Sequence, residues 1–206
     1  MTIELVGKDF SDFLINQKIS LTEHSDGRIQ SLMSEENLTE LLREQFKDDE
    51  RFKFLPKDDN RAFGDIDIEI DGAIHHINVK MVDPEKSSTY NAGGVQLFGH
   101  LLFNYKNYKW EKLCKEVKSN EKKELKGEYY YLIYYKNSMK PPVFVKFSEI
   151  SRNSITTNPS NPLQLKSKGL KTKKRNTAQS YEFVVGLLED FMEKRAKPYL
   201  ILKGEQ

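Results

Sequence analysis

The chain has 206 residues, of which 33 are basic and 31 acidic, a net charge of +2, with 37% hydrophobic content; this suits one domain that buries its own core without staples. No run is apolar enough to span a membrane, and the N-terminal MTIELVGKDF lacks the basic-then-apolar order of a signal peptide. Cys114 is the lone cysteine, so an intrachain disulfide is excluded, a reducing cytoplasm is the expected location, and Cys/His spacing of the zinc type is absent.

In chain order, SEENLTELLREQF (34–46) sets Leu38, Leu41, Leu42 and Phe46 at helical spacing behind Ser34 as N-cap. A polar connection, KDDERFKFLPKDDNR, leads into GDIDIEIDGAIHHINVK (64–80), where strict alternation predicts two strands joined by a tight turn at Asp71-Gly72. Asn91-Ala-Gly-Gly reads as a loop. The following VQLFGHLLFNYKNYKWEKLCKEV places Val95, Phe98, Leu102 and Tyr105 on one stripe of a helix packed on the sheet. EYYYLIYYK (128–136) is expected as a buried central strand, and PPVFVKF (141–147) as another whose prolines confine pairing to its later residues. Residues 151–177 suggest long loops around short strand pieces. AQSYEFVVGLLEDFMEKRAKPYLIL closes the chain, with Phe183, Val184, Leu187, Leu188 and Phe191 on a helix that stops near Pro198, before a short strand. The alternation of element types predicts an α/β fold in a single domain, 1–206.

The near-neutral charge hides a segregation. Residues 150–181 hold seven Lys or Arg and no acid, which leaves 26 basic and 31 acidic residues elsewhere, about −5. Such a distribution suits a surface that meets a polyanion.

The hairpin carries the chemistry. Residues two apart on a strand share a face, so Asp65, Asp67, Glu69 and Asp71 lie opposite Ile66, Ile68 and Ile70. On the second strand Asn78 and Lys80 share the face opposite Ile77 and Val79, and can converge with Asp65 across the ladder. The plain reading of such a strand is the wet face of an antiparallel hairpin. However, Asp65 followed by Asn78-Val79-Lys80 resembles the PD-(D/E)XK nuclease superfamily, with Gly64 in place of the proline and Asn78 in place of the second carboxylate. INVKMVDPEKSSTYNAGG, TTNPSNPLQ and KRAKPYLIL are similar to segments of bacterial type II restriction endonucleases that carry Asn-X-Lys. The resemblance implies a mixed central β-sheet flanked by helices, a restriction-endonuclease-like core. It also implies catalytic Asp65, Asn78 and Lys80, and Mg2+ held by Asp65, Asn78 and the Val79 carbonyl. A further acid from the preceding helix, Glu35, Glu40 or Glu44, would replace the missing carboxylate; Asp67 is the next choice as ligand. Phosphodiester hydrolysis needs an activated water and neutralisation of phosphate charge, tasks for the metal and for Lys80.

The basic segment 151–180 is then the expected DNA-contacting region. Lys166, Lys168, Lys171, Lys173, Lys174 and Arg175 would meet phosphates, while Asn158, Asn161, Gln164, Asn176 and Gln179, with Arg175, can pair with base edges. The expected function is Mg2+-dependent, sequence-specific cleavage of double-stranded DNA by a twofold homodimer, with a cognate methyltransferase protecting the host. Two alternatives stand beside it: a repair or recombination nuclease that reads DNA structure, and a non-catalytic DNA-binding module with a degenerate site.

Overall fold

Ile66, Ile68 and Ile70 alternate with acids, and in the computed structural model, which describes residues 1–17, 19, 27–85 and 88–203, all three are buried. Among the described residues the chain forms strands β1 (Lys53–Phe54), β2 (Ile66–Ile70), β3 (Ala73–Val82), β4 (Thr89–Gly93), β5 (Tyr129–Tyr135), β6 (Val143–Lys146), β7 (Ile155–Thr156) and β8 (Leu163–Lys166). The helices are α1 (Ile3–Ile15), α2 (Gly27–Gln45), α3 (Val95–Phe103), α4 (Trp110–Ser119) and α5 (Thr177–Lys203). Two compact units divide the chain.

The first unit comprises Met1–Lys86 and Tyr129–Phe147. Its five-stranded sheet runs β1-β2-β3-β5-β6; β3 and β5 are parallel and the other pairs antiparallel, so the sheet is mixed and the fold α/β. Asp71 (φ 50°) and Gly72 (φ 80°) both take left-handed conformations, the geometry of a two-residue hairpin turn that matches strand twist. One sheet face, with Ile66, Ile68, Ile70, Ile77, Val79, Tyr130 and Leu132, packs against α1 and α2 through Val6, Phe10, Leu14, Leu38 and Leu42. Helix α1 is additional to the predicted elements, and Ile3, Val6, Phe10 and Leu14 are buried along it at helical spacing. A Cβ on Gly7 would lie 2.1 Å from the Phe144 ring, so this glycine permits the helix to rest on β6.

Three expectations here need correction. Helix α2 begins at Gly27, so Ser34 is no cap but a buried residue of the helix interior. The polar connection before the hairpin contains β1, paired with β2 through Lys53 and Phe54. The expected surface face of β2 is not wet at Asp67, which is 2% exposed.

The second unit comprises Ser87–Glu128 and Ser148–Gln206. A three-stranded antiparallel sheet, β4-β8-β7, buries Leu163 and Leu165, and Trp110 of α4 lies 4.8 Å from Phe191 of α5 between ring centroids. Asn91-Ala92-Gly93 belongs to β4 instead of a loop. The single long helix expected after it is two helices, because Asn104 adopts a left-handed conformation (φ 53°) that ends α3, and Tyr105 is exposed. At the chain's end α5 continues through Pro198 to Lys203, so no strand follows the proline up to that point; the missing N–H removes one helical hydrogen bond without ending the helix. No helix among the described residues is long and apolar enough to cross a membrane.

Candidate active site

Strand β2 ends its pairing at Ile66↔Ile77, while β3 runs on to Val82 beside β5. The flank of β3 that faced β2 is therefore open beyond Ile77. Backbone N–H groups there need acceptors, and two carboxylates supply them. Asp65 Oδ2 accepts from the Val79 N–H at 2.8 Å, and the Glu35 carboxylate accepts from the Met81 N–H.

Lys80 joins the two acids. Its ammonium donates to Glu35 Oε2 at 2.8 Å and acts electrostatically on Asp65. Both side chains of the ion pair are largely withdrawn from water, 17% exposed for Lys80 and 16% for Glu35. Burial pushes the carboxyls of Glu35 and Asp65 above their ordinary values, and the Lys80 charge opposes the rise in each. Asp65 adds to the rise at Glu35, and Asp67 to the rise at Asp65. Two carboxylates thus share one ammonium, a local charge of −1 if all are ionised.

Asn78 lies two residues before Lys80 on β3. Its amide donates to the Tyr129 hydroxyl, and its Oδ1 is buried with no hydrogen-bond partner among the described residues. An enclosed carbonyl oxygen without a donor is costly and suits an oxygen-seeking cation. Among the described residues no group of three His, Cys, Asp or Glu side chains is arranged to hold a metal; the hard oxygens at hand are those of the two carboxylates, with the buried amide oxygen of Asn78 on the same strand as Lys80. Those hard oxygens with a deficit of positive charge fit Mg2+, which completes its shell with water. Of Val79, the group that touches Asp65 is the N–H.

Gly64 explains how Asp65 is aimed. A Cβ there would fall 2.6 Å from the Ile77 carbonyl oxygen and 2.7 Å from its nitrogen, so no other residue fits the crossing of the two backbones. Asp67, two residues on, has both oxygens engaged: Oδ2 accepts from the Phe63 N–H, and Oδ1 accepts from the Gly64 N–H and meets His76 Nδ1 at 2.5 Å. Its carboxylate holds the segment that presents Asp65. Of the other helix acids, Glu40 and Glu44 are exposed and line a second cleft with Arg43, Lys47 and Phe52; Glu44 pairs with Lys47. Of the three, it is Glu35 that meets Lys80.

The basic segment divides in the same way. Lys166, Lys168, Lys171, Lys173 and Lys174 are exposed. Arg175 is not a free reader, since Nη1 donates to the carbonyls of Ser148 (2.6 Å), Ile150 (3.1 Å) and Lys173 (3.3 Å), and the guanidinium lies 3.8 Å from the Phe183 ring centroid. Gln179 and Asn176 cap α5 reciprocally: Gln179 Oε1 accepts from the Asn176 N–H and Asn176 Oδ1 from the Gln179 N–H. Asn-x-x-Gln ahead of an apolar run is a capping box, a signal that was present in NTAQ. Asn158 donates to Gln164 Oε1 at 2.8 Å, Gln164 reaches Asn91 Oδ1 at 3.4 Å, and the Asn158 side-chain oxygen accepts from the Asn161 and Ser160 N–H groups. These side chains form an amide chain across β8 and β4 that ends at exposed Asn91, a residue the sequence did not single out.

A scan against protein-family models finds no match, and a search of curated proteins returns no significant relative.

Proposed function

We propose that this protein is a type II restriction endonuclease with a restriction-endonuclease-like core of the PD-(D/E)XK kind, hydrolysing phosphodiester bonds of double-stranded DNA at a specific sequence with Mg2+ as cofactor. The observation that carries the proposal is the convergence of Glu35, Asp65 and Lys80 on the open flank of β3. It supports a nuclease reading because Glu35, from the helix, replaces the carboxylate that Asn78 lacks. The glycine in the proline position also has a reason, since proline too carries a Cβ.

Asp65, Glu35 and Asn78 Oδ1 would hold the ion, which supplies Lewis acidity and an acidified water when bound. Lys80, held by Glu35, presents fixed positive charge to a phosphate whose charge grows during attack. Asp67 and His76 keep the Asp65 segment in place, so the acid does not have to be ordered at the moment of reaction. The exposed lysines 166, 168, 171, 173 and 174 orient the duplex through phosphates, and the amide chain of Asn158, Gln164 and Asn91 is suited to base edges. A twofold homodimer, a protecting methyltransferase and a cytoplasmic setting belong to the same reading.

Asn78 is also the one observation that favours a non-catalytic DNA-binding module. Incubation with unmethylated plasmid, with and without Mg2+, separates the readings. Discrete Mg2+-dependent fragments with constant end sequences are expected. Cutting only at nicks, flaps or mismatches would move the assignment to a repair nuclease, and sequence-selective binding without any product would leave the binding module.

A further inference from the structure

Beside the acid pair lies a cleft of about 290 Å3 between α2 and the segment that joins β1 to β2. Glu35, Thr39 and Arg43 line it from α2, four residues apart and so on one helix face, and Lys57 and Asp65 line it from the other side. The cleft therefore holds two cations, Arg43 and Lys57, in the same lining as the candidate ligands Glu35 and Asp65.

Arg43 is only partly committed to the fold. Nη1 donates to the Leu55 carbonyl at 3.0 Å, and the guanidinium lies over the Phe54 ring at 5.1 Å from its centroid. These interactions fix the plane of the group. Yet Nε is enclosed and has no acceptor among the described residues, a costly state for a charged donor. The acids nearby do not relieve it: Asp67, whose charge acts on Arg43, is filled by Phe63, Gly64 and His76, and Glu35 is taken by Lys80 and Met81. Glu36 and Asp65 are the other two acids of the cleft; Glu36 is exposed, and Asp65 accepts from the Val79 N–H. Lys57 is exposed as well, and its charge reaches Asp65.

We infer that Arg43 and Lys57 form a phosphate-holding subsite that binds a backbone phosphate of the substrate strand next to the one that is cut. The inference rests on the nuclease reading and extends it. A planar guanidinium with donors to spare recognises phosphate oxygens by its fork, and an ammonium acts as a point charge from the opposite wall. Both are positioning residues: they set where the strand lies relative to Asp65 and Lys80, and neither touches the reacting atoms.

The test is fluorescence anisotropy with a short labelled DNA duplex in EDTA, so that nothing is cut, across a salt series, for wild type, Arg43→Met, Arg43→Lys and Lys57→Met. Each Met variant is expected to bind about tenfold more weakly and to lower the slope of log K against log salt by about 0.9, the signature of one phosphate no longer neutralised. Arg43→Lys keeps the slope but binds less tightly, because charge is retained without the fork. Melting curves check folding, and exposed Lys57 supplies a variant with no role in the core. Unchanged slopes in both Met variants would overturn the inference while leaving Mg2+-dependent cutting, and the nuclease reading, intact. Lowered slopes in a protein that never cuts would sustain the phosphate subsite and sink the nuclease reading; no duplex binding by the wild type would remove both. Inorganic phosphate at matched ionic strength is expected to displace no more duplex than chloride does, and selective displacement that Arg43→Met abolishes would reassign the subsite to free phosphate.

Discussion

The Glu35 carboxylate and the Lys80 ammonium lie 2.8 Å apart across 45 residues of sequence, joining a helix to the unpaired flank of a strand. Glu35→Gln is expected to weaken the hold on Lys80 and remove one candidate ligand, so the Mg2+ concentration for half-maximal cutting should rise along with a fall in kcat. Lys80→Ala is expected to lower kcat by about 100-fold or more, the scale seen when a preorganised charge partner of a transition state is removed, with duplex binding kept. Equal cutting by Lys80→Ala and wild type would end the catalytic assignment.

Metal should register as stability. A cation that binds only the folded chain at a hundred times its dissociation constant adds about 2.7 kcal/mol, so Mg2+ or Ca2+ is expected to raise Tm in wild type and to leave Asp65→Asn unmoved. A Tm shift of equal size in both proteins would show that the ion binds elsewhere.

The raised Asp65 carboxyl makes a pH-dependent contrast in EDTA. A group whose folded pKa lies above its unfolded value stabilises the fold fully below the unfolded pKa, and that contribution is lost as pH rises through the folded pKa. Asp65 has that sign, because burial outweighs the help from Lys80 and the Val79 N–H. Asp65→Asn keeps an oxygen for the Val79 N–H and carries no charge to bury. The metal-free variant should therefore melt above wild type near neutral pH, with the difference closing as pH falls toward the ordinary aspartate value of about 4. Thermal melts at three pH values check the sign.

Gly64→Ala forces a methyl into the backbone of Ile77, 2.6 Å from its carbonyl oxygen. Backbone does not yield as a flexible side chain would, so a cost of about 1–3 kcal/mol is expected, together with loss of cutting as Asp65 is displaced. Chemical denaturation and the plasmid assay measure the two effects on one sample; a fully active, fully stable variant would refute the crossing of β2 and β3 as described.

Within the basic segment the residues should separate by role. Lys171→Ala with Lys173→Ala and Lys174→Ala is expected to weaken duplex binding and flatten its salt dependence by about 0.9 for each phosphate left without its cation, without moving Tm. Arg175→Met should act on folding, because three carbonyls would lose this donor; hydrogen bonds to a charged group contribute about 1.5–3 kcal/mol, and the part-buried setting of Arg175 places the expected loss at the low end of that range. The reverse pattern would make Arg175 the group that meets DNA.

Local rules made much of this molecule legible from its sequence. Alternation around Asp71-Gly72 determined the hairpin, its register and the inward set of Ile66, Ile68, Ile70, Ile77 and Val79, because strand period and turn chemistry are short-range. The aromatic run Tyr129–Tyr135 was recognisable as a buried strand for the same reason. Other local signals are present in the sequence as well: the apolar spacing of α1, the capping pair Asn176 and Gln179, and the left-handed tendency of Asn104.

What tertiary structure alone decided is which polar groups meet. Glu35, Glu40 and Glu44 are chemically alike on one helix, and only the rotation of α2 against β3 brings Glu35 to Lys80. Asp65 and Asp67 are two residues apart, but β2 begins only at Ile66; the chain from Phe63 to Gly64 folds back onto Asp67 and leaves Asp65 to meet Val79. Arg175 has the sequence context of a surface cation, yet the carbonyls of Ser148 and Ile150 hold it half-buried. Such outcomes depend on long-range packing that orders side chains around unmet backbone donors, and no spacing along the chain encodes that directly.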